Sequence, residues 1–258
     1  MKMHVHRFLA PLTALVLPVA LLLPAGAAQA VSVQGTTNLA PLVAVAAADY
    51  QKANPGVTIN VKGNSSGAGI AALKDKSADV AMSDVAVNDA DFNDTILGVV
   101  GFAFALNPDV GVKNLTRGEL QDIFSGKITN WKAIGGNDRK IVLIGRQIGT
   151  GTRFVFEDKV AKTEIPITIE PNAKAVVEAV AQTSGALGYL ASGFVDGHDN
   201  LIVSYEGVMP TPANIRNHTY SFSTDEHLYM LKNGPAAAAA FIQYVKNDAA
   251  LLKDNGVF

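Results

Sequence analysis

After an apolar opening stretch, short hydrophobic runs alternate with segments of helical spacing, and small polar turns separate them. Val31-Ser32-Val33 reads as a strand that runs into Gly35-Thr36-Thr37-Asn38. Helical spacing then covers 39–52, and Asn54-Pro55-Gly56 stops it. Val57-Thr58-Ile59-Asn60-Val61 alternates as a second strand and leads through Gly63-Asn64-Ser65-Ser66-Gly67-Ala68-Gly69 into a helix over 67–76. Asp79-Val80-Ala81-Met82 predicts a short strand that delivers Ser83 and Asp84 at its C-terminal end, and 97–106 is apolar enough for a buried strand. Period two followed by period 3.6, repeated, predicts an α/β architecture.

The second half keeps the pattern with weaker stretches. Thr116-Arg117-Gly118-Glu119 is a capping box that opens a helix through Ile123-Phe124. The segments 125–131 and 135–138 read as loop and turn, and Lys140-Ile141-Val142-Leu143-Ile144 as a strand ending at Arg146. A helix is expected over 153–162, another over 173–182 and a strand over 186–190. The pattern fades over 200–220, which reads as connection, and Pro235 then suits the start of a helix over 236–246.

Three of these strand–turn–helix junctions carry the chemistry. Arg146-Gln147-Ile148-Gly149-Thr150-Gly151-Thr152 brings a guanidinium, two hydroxyls and the free N–H groups of a helix start to one place. A guanidinium gives an anion two parallel hydrogen bonds, which an ammonium cannot match. In the first turn Thr37 or Asn38 stands where an N-cap belongs, so the same residues serve either capping or a ligand. In the second, glycines around Ser65 and Ser66 leave room for close approach to the backbone, although no Gly-Lys-Ser/Thr pattern makes it a P-loop. Asp84 is either a turn-former or an acceptor for the hydrogen of a protonated oxyanion. Asp89, Asp91 and Asp94 read as a solvated loop, Lys62 as solvent-facing, and Arg153 as a surface or secondary residue.

Composition narrows the reading. Lys2 and Arg7, the apolar 8–24 and Ala28-Gln29-Ala30 make 1–30 a secretory signal peptide, with the mature chain starting near Val31. The sequence has no cysteine, which excludes a disulfide framework, a thiolate nucleophile and a lipoprotein anchor. Loss of Lys2 and Arg7 makes the balance of 21 basic to 23 acidic residues more acidic, so no basic stripe attracts nucleic acid. His198, His218 and His227 show no metal-ligand spacing, and no Gly-x-Ser-x-Gly elbow is present. No metal, no cofactor and no catalytic set are expected.

Gly35-Thr36-Thr37, the run 61–70, Ala78-Asp79-Val80-Ala81-Met82-Ser83-Asp84, the Ile123-Phe124-Ser125-Gly126-Lys127-Ile128 segment ending in Trp131, the Arg146 turn and Gly185-Ala186-Leu187-Gly188-Tyr189 together resemble the periplasmic phosphate-binding proteins of phosphate-specific ABC transporters. That resemblance implies the type II periplasmic binding fold, with two lobes of mixed sheet flanked by helices and the ligand between them. Lobe 1 would take 31–107 completed by about 218–258, and lobe 2 would take 108–217. It implies phosphate contacts from Thr37, Asn38, Ser65, Asp84, Arg146, Thr150, Gly151 and Thr152. It further implies a monomeric periplasmic carrier that serves an ABC permease of the inner membrane. Ile148 stands where many members carry an aspartate, and Thr224-Asp225-Glu226 replaces a more basic stretch. A carrier of sulfate or molybdate, or a phosphatase or phosphodiesterase using the same cleft, are the alternatives.

Overall fold

The computed structural model describes residues 29–194 and 197–258. The expected signal peptide lies outside the described residues except for Gln29 and Ala30, which pair with Val57 and Thr58 as the start of a strand. In chain order the first half contains β1 (Gln29–Thr36), α1 (Ala40–Ala53), β2 (Val57–Asn64), α2 (Ser66–Lys74), β3 (Val80–Ser83), β4 (Phe92–Leu106), β5 (Asn114–Leu115) and α3 (Arg117–Phe124). The second contains β6 (Val142–Arg146), α4 (Gly151–Lys159), β7 (Thr168–Glu170), α5 (Ala173–Gln182), β8 (Ala186–Ala191), β9 (Ile202–Tyr205), α6 (Pro212–Arg216), β10 (Ser223–Leu231), α7 (Ala236–Asn247) and α8 (Ala249–Asp254).

The strands follow one path, β2-β1-β3-β10-β4-β8-β6-β7, with β9 and β5 added beside β4. β1 pairs with β2 and β3 in parallel, β10 is antiparallel to both its neighbours, and β6 is parallel to β7 and β8. β4 belongs to both ends of this path. Its first part pairs with β10, whereas Phe102 to Leu106 pair with β8. At the change-over the Phe102 amide donates to the Phe222 carbonyl at 2.9 Å, which ties together the two places where the chain passes between the halves.

Each half has its own core. On one side, Val31 and Val33 of β1 pack with Leu42 and Val43 of α1, Leu228 of β10 and Phe241 of α7. The other side is aromatic: Phe156 stacks on Tyr189 at 4.1 Å and Phe104 on Phe222 at 4.9 Å. Such pairs contribute about 0.5–1.5 kcal/mol beyond burial of their area. The capping box at Thr116 and Glu119 forms as expected, and Trp131 is buried with its Nε1 donating to the Gly185 carbonyl at 2.9 Å.

Four expectations need correction. The connection expected over 200–220 contains β9 and α6, and β10, absent from the sequence reading, lies in the middle of the sheet path. β4 starts at Phe92, well before 97, because its first residues pair with β10 in spite of their polarity. Asp94 therefore sits in a strand, not a solvated loop, and its carboxylate meets Nδ1 of the buried His227 at 2.9 Å. Arg153 is 5 % exposed rather than on the surface, since its guanidinium is held by Glu157 at 2.6 Å.

Two glycines fix how closely the first turn approaches its neighbours. Gly35 has φ +148°, and a Cβ there would stand 2.0 Å from the Met82 carbonyl oxygen of β3. Gly69 of α2 lies so near β1 that a Cβ would come within 2.6 Å of the Gln34 carbonyl oxygen. These are rigid backbone neighbours, so a side chain forces α2 away from β1. We expect Gly69→Val to lower the urea unfolding free energy by about 1–3 kcal/mol. An unfolding midpoint equal to that of the parent would show that the close α2–β1 approach is not required.

Candidate functional site

The C-terminal ends of β1, β3 and β6 converge with the starts of α1, α2 and α4. α1 begins without a side-chain cap: its N-cap position is Leu39, not Thr37 or Asn38 as the sequence suggested. Both polar side chains are thereby free of the helix they precede. They reach instead to the start of α4, far along the chain. The Gly151 amide donates to Thr37 Oγ1 at 3.0 Å, and Thr152 Oγ1 donates to Asn38 Oδ1 at 3.2 Å.

Asn38 then passes this connection inward. Its Nδ2 donates to Asp84 Oδ1 at 3.3 Å, and Thr36 Oγ1 donates to Asp84 Oδ2 at 2.6 Å. Asp84 is 2 % exposed. Its backbone is fixed as tightly as its carboxylate: the amide donates to Ser66 Oγ at 3.1 Å, and the carbonyl accepts from Thr224 Oγ1 at 2.7 Å. β1, α2 and β10 thus each hold one part of the same aspartate.

Gly151 is seated directly on this group. A Cβ at position 151 would lie 2.6 Å from Thr36 Oγ1 and 2.7 Å from both Asn38 Nδ2 and Asp84 Oδ2. A glycine is required here for space, because no side chain fits between the α4 start and the buried polar cluster.

Arg146 ends β6 and is partly buried. One Nη donates to the Pro171 carbonyl at 3.0 Å, while Nε is buried with no partner among the described residues. Burial lowers the guanidinium pKa below its ordinary value, as expected for a cation that lacks a counter-charge. Arg153 braces the strand end by donating to the Arg146 carbonyl at 3.3 Å. Thr37, Asn38, Arg146, Thr152 and Glu226 line one cavity of about 390 Å³.

Two expected ligands stand differently. Ser65 is exposed, and its hydroxyl caps α2 by accepting from the Ala68 amide at 3.2 Å; the neighbouring Ser66 is the serine that touches Asp84. Thr150 caps α4, with its hydroxyl accepting from the Arg153 amide at 3.4 Å and donating to the Gln147 carbonyl at 2.9 Å. Ile148 is 80 % exposed, so no carboxylate from that position reaches Arg146.

Thr36, Ser66, Thr224 and Glu226 were missed by sequence reasoning. Thr36 and Ser66 are immediate neighbours of residues that were named, and alternation along a strand would have put Thr224 and Glu226 on one face had β10 been recognised. Glu226 is 1 % exposed, and the antiparallel pairing of His227 with Ser83 sets it beside Asp84. Burial pushes the Glu226 carboxyl well above its ordinary range, and the Asp84 charge pushes it further. Burial also raises Asp84, but there hydrogen bonds from Thr36, Glu226, Asn38 and Ser66 oppose the rise. Two neighbouring carboxylates out of water resist being ionised together, so the two groups titrate as a coupled pair.

No group of three or more acidic, histidine or cysteine side chains among the described residues is arranged to hold a metal ion. What the geometry offers is a half-buried guanidinium with a free Nε, a helix start and several hydroxyls around one acceptor, which is equipment for binding.

Comparison with known proteins agrees with this arrangement. The family model described as "PBP superfamily domain" matches residues 24–249. A phosphate-binding protein PstS of Bacillus subtilis is 32 % identical over 230 residues, covering 86 % of this chain and 77 % of the relative. The crystal structure of an ABC-type phosphate transport receptor from Vibrio cholerae superposes with a TM-score of 0.80 at 29 % identity, covering 88 % of this chain and 99 % of the other. A putative phosphate ABC transporter substrate-binding protein from Clostridium perfringens, solved with bound phosphate, gives 0.73 at 27 % identity, covering 89 % and 99 %. The chain therefore belongs to the PBP superfamily and, within it, to the PstS family of phosphate-binding proteins.

Proposed function

We propose that this protein captures inorganic phosphate in the cleft between the α1 and α4 starts and delivers it to an ABC transporter. The observation that carries this reading is Arg146, a partly buried guanidinium with an unpaired Nε, lining the same cavity as Thr37, Asn38 and Thr152. A half-buried guanidinium with a donor left unpaired and no counter-charge is costly, and an oxyanion satisfies both the charge and the free donor. The names of the relatives, phosphate-binding proteins and phosphate transport receptors, support the same ligand. The family is one of transport receptors, and the enzyme alternatives are set aside.

The lobes in this reading are 31–107 with about 218–258, and 108–217, and Phe102, Phe104, Tyr220 and Phe222 of the first cross into the core of the second. In this reading β4 and the segment before β10 act as the hinge. The lobes close when the Gly151 amide and the Thr152 hydroxyl meet Thr37 and Asn38. Thr37, Asn38, Gly151 and Thr152 supply donors, Arg146 supplies charge, and Asp84 accepts the hydrogen that phosphate still carries at neutral pH. Ser65 and Thr150 sit at the two helix starts and take part by leaving their caps. The protein works as a monomer in the periplasm, exported by the leader expected at 1–30, without cofactor or nucleic acid. The permease of the inner membrane is its partner.

The charge on Arg146 gives the first test. Titration calorimetry of phosphate into the phosphate-stripped Arg146→Ala variant is expected to show a loss of about 2–4 kcal/mol in binding, with Arg146→Lys recovering only part of it. An affinity for the Ala variant within about twofold of the parent would remove the charge-assisted contact from the account.

Asp84 gives the second. Sulfate carries no proton at neutral pH and would set an acceptor against this acceptor, so phosphate is preferred by about 10⁴-fold or more. Asp84→Asn can donate to either anion and should reduce that preference at least about 100-fold, measured by competition between the two anions. The same preference in parent and variant would contradict the role given to Asp84.

A further inference from the structure

The stretch Thr224-Asp225-Glu226 of β10 lies at the back of the anion site. β10 runs antiparallel between β3 and β4, with His227 opposite Ser83, and the pairing with β4 shifts register between Glu226 and His227. Leu97 is the residue left over in that shift, between Ile96 opposite His227 and Gly98 opposite Glu226. β10 thereby lays Thr224 and Glu226 on one side of Asp84. Thr224 holds the Asp84 carbonyl at 2.7 Å, and the pairing of His227 with Ser83 brings Glu226 alongside the same aspartate. Glu226 Oε2 is buried with no partner among the described residues, and the side chain lines the cavity it shares with Thr37, Asn38, Arg146 and Thr152.

We propose that Glu226 is a specificity-determining residue that stands in the cleft as a neutral carboxylic acid and donates its proton to Asp84, leaving Asp84 as the single ionised acceptor offered to a protonated oxyanion. The inference rests on the phosphate reading and adds the group that sets the charge state of the site.

The argument is one of charge. An ionised Glu226 beside ionised Asp84 would place two negative charges against a phosphate dianion in a poorly hydrated space, with Arg146 as the partly buried cation lining the same cavity. Lys174, at the start of α5, lines the same cavity but is largely exposed. Asp225, next along β10, adds only repulsion. A neutral Glu226 removes one of those charges and turns the acid into a donor. Asp84 then accepts from Thr36, Asn38 and Glu226, and the one lone pair left over demands a ligand with a hydrogen to give. His227 and Tyr229 face the other side of β10, against Asp94 and Val87, and do not enter this balance.

The test compares Glu226→Gln, which keeps a neutral donor, with Glu226→Leu, which keeps the bulk and loses the donor. Phosphate and sulfate affinities are measured by titration at neutral pH. We expect Gln to bind phosphate within about threefold of the parent with its preference over sulfate retained, and Leu to lose about tenfold or more of that preference. Infrared spectroscopy at about pH 8, where exposed carboxylates are ionised, should find one unionised carboxylic acid band in the parent that is missing in Gln. A Gln variant that binds phosphate tenfold tighter or better would mean that Glu226 is ionised in the parent and overturns the proposal. An absent band, or a Leu variant with unchanged selectivity, also overturns it. A parent that shows the band and binds no phosphate would instead remove the phosphate reading, because the infrared result is independent of any ligand.

Discussion

The constraint on which the rest depends is the burial of one carboxylate. Asp84 is almost wholly removed from water, and taking an ion out of water costs several kcal/mol unless hydrogen bonds and charge replace the lost hydration. Every nearby element is recruited for that replacement. The β1 turn supplies Thr36 and Asn38, α2 fixes the aspartate's amide through Ser66, and β10 fixes its carbonyl through Thr224. Glycines at 35 and 69 permit the close approach of β1, β3 and α2 that puts these donors within reach. The short contacts of this region follow from the need to satisfy one acceptor.

From that centre the hydrogen bonds extend outward to the cleft. Asn38 is bonded to Asp84 by its amide nitrogen and to Thr152 by its oxygen, so one side chain connects the buried acceptor with the opposite helix start. Gly151 is packed on the same cluster and hydrogen-bonds to Thr37. In the proposed reading, capture of phosphate and docking of α4 on α1 draw on the same atoms. This is how a binding protein couples occupancy to closure: ligand contacts formed only when both sides meet favour the closed arrangement by their differential affinity.

Much of this was legible in the sequence, for a physical reason. β1, β2, α2, α3 and β8 follow clean periodicities with turn residues at their ends, and Arg146, Gly151 and Thr152 lie at a strand–turn–helix junction whose chemistry is unmistakable. β10 was not legible because a central strand covered on both faces does not alternate between apolar and polar. Here its middle carries Glu226 and His227, both buried, with His227 held by Asp94 and Glu226 set beside Asp84, so the stretch reads as polar connection. The same blindness hid Arg153, whose charge is consumed by Glu157 inside the protein. Thr37 and Asn38 were read as possible caps because local sequence cannot tell whether a side chain serves its own helix or one more than a hundred residues away. Ser65 and Ser66 are two adjacent hydroxyls, and only the direction of α2 decides which of them faces Asp84.

The central claim is that Asp84, held from three elements, is the acceptor at the heart of an anion cleft. A crystal structure of the protein grown with phosphate tests it most directly. The account predicts one phosphate between the α1 and α4 starts. An Asp84 carboxylate oxygen should lie at hydrogen-bonding distance from a phosphate oxygen, with the Arg146 guanidinium on the anion. Phosphate bound with Asp84 out of contact, or bound away from the cleft, would contradict it.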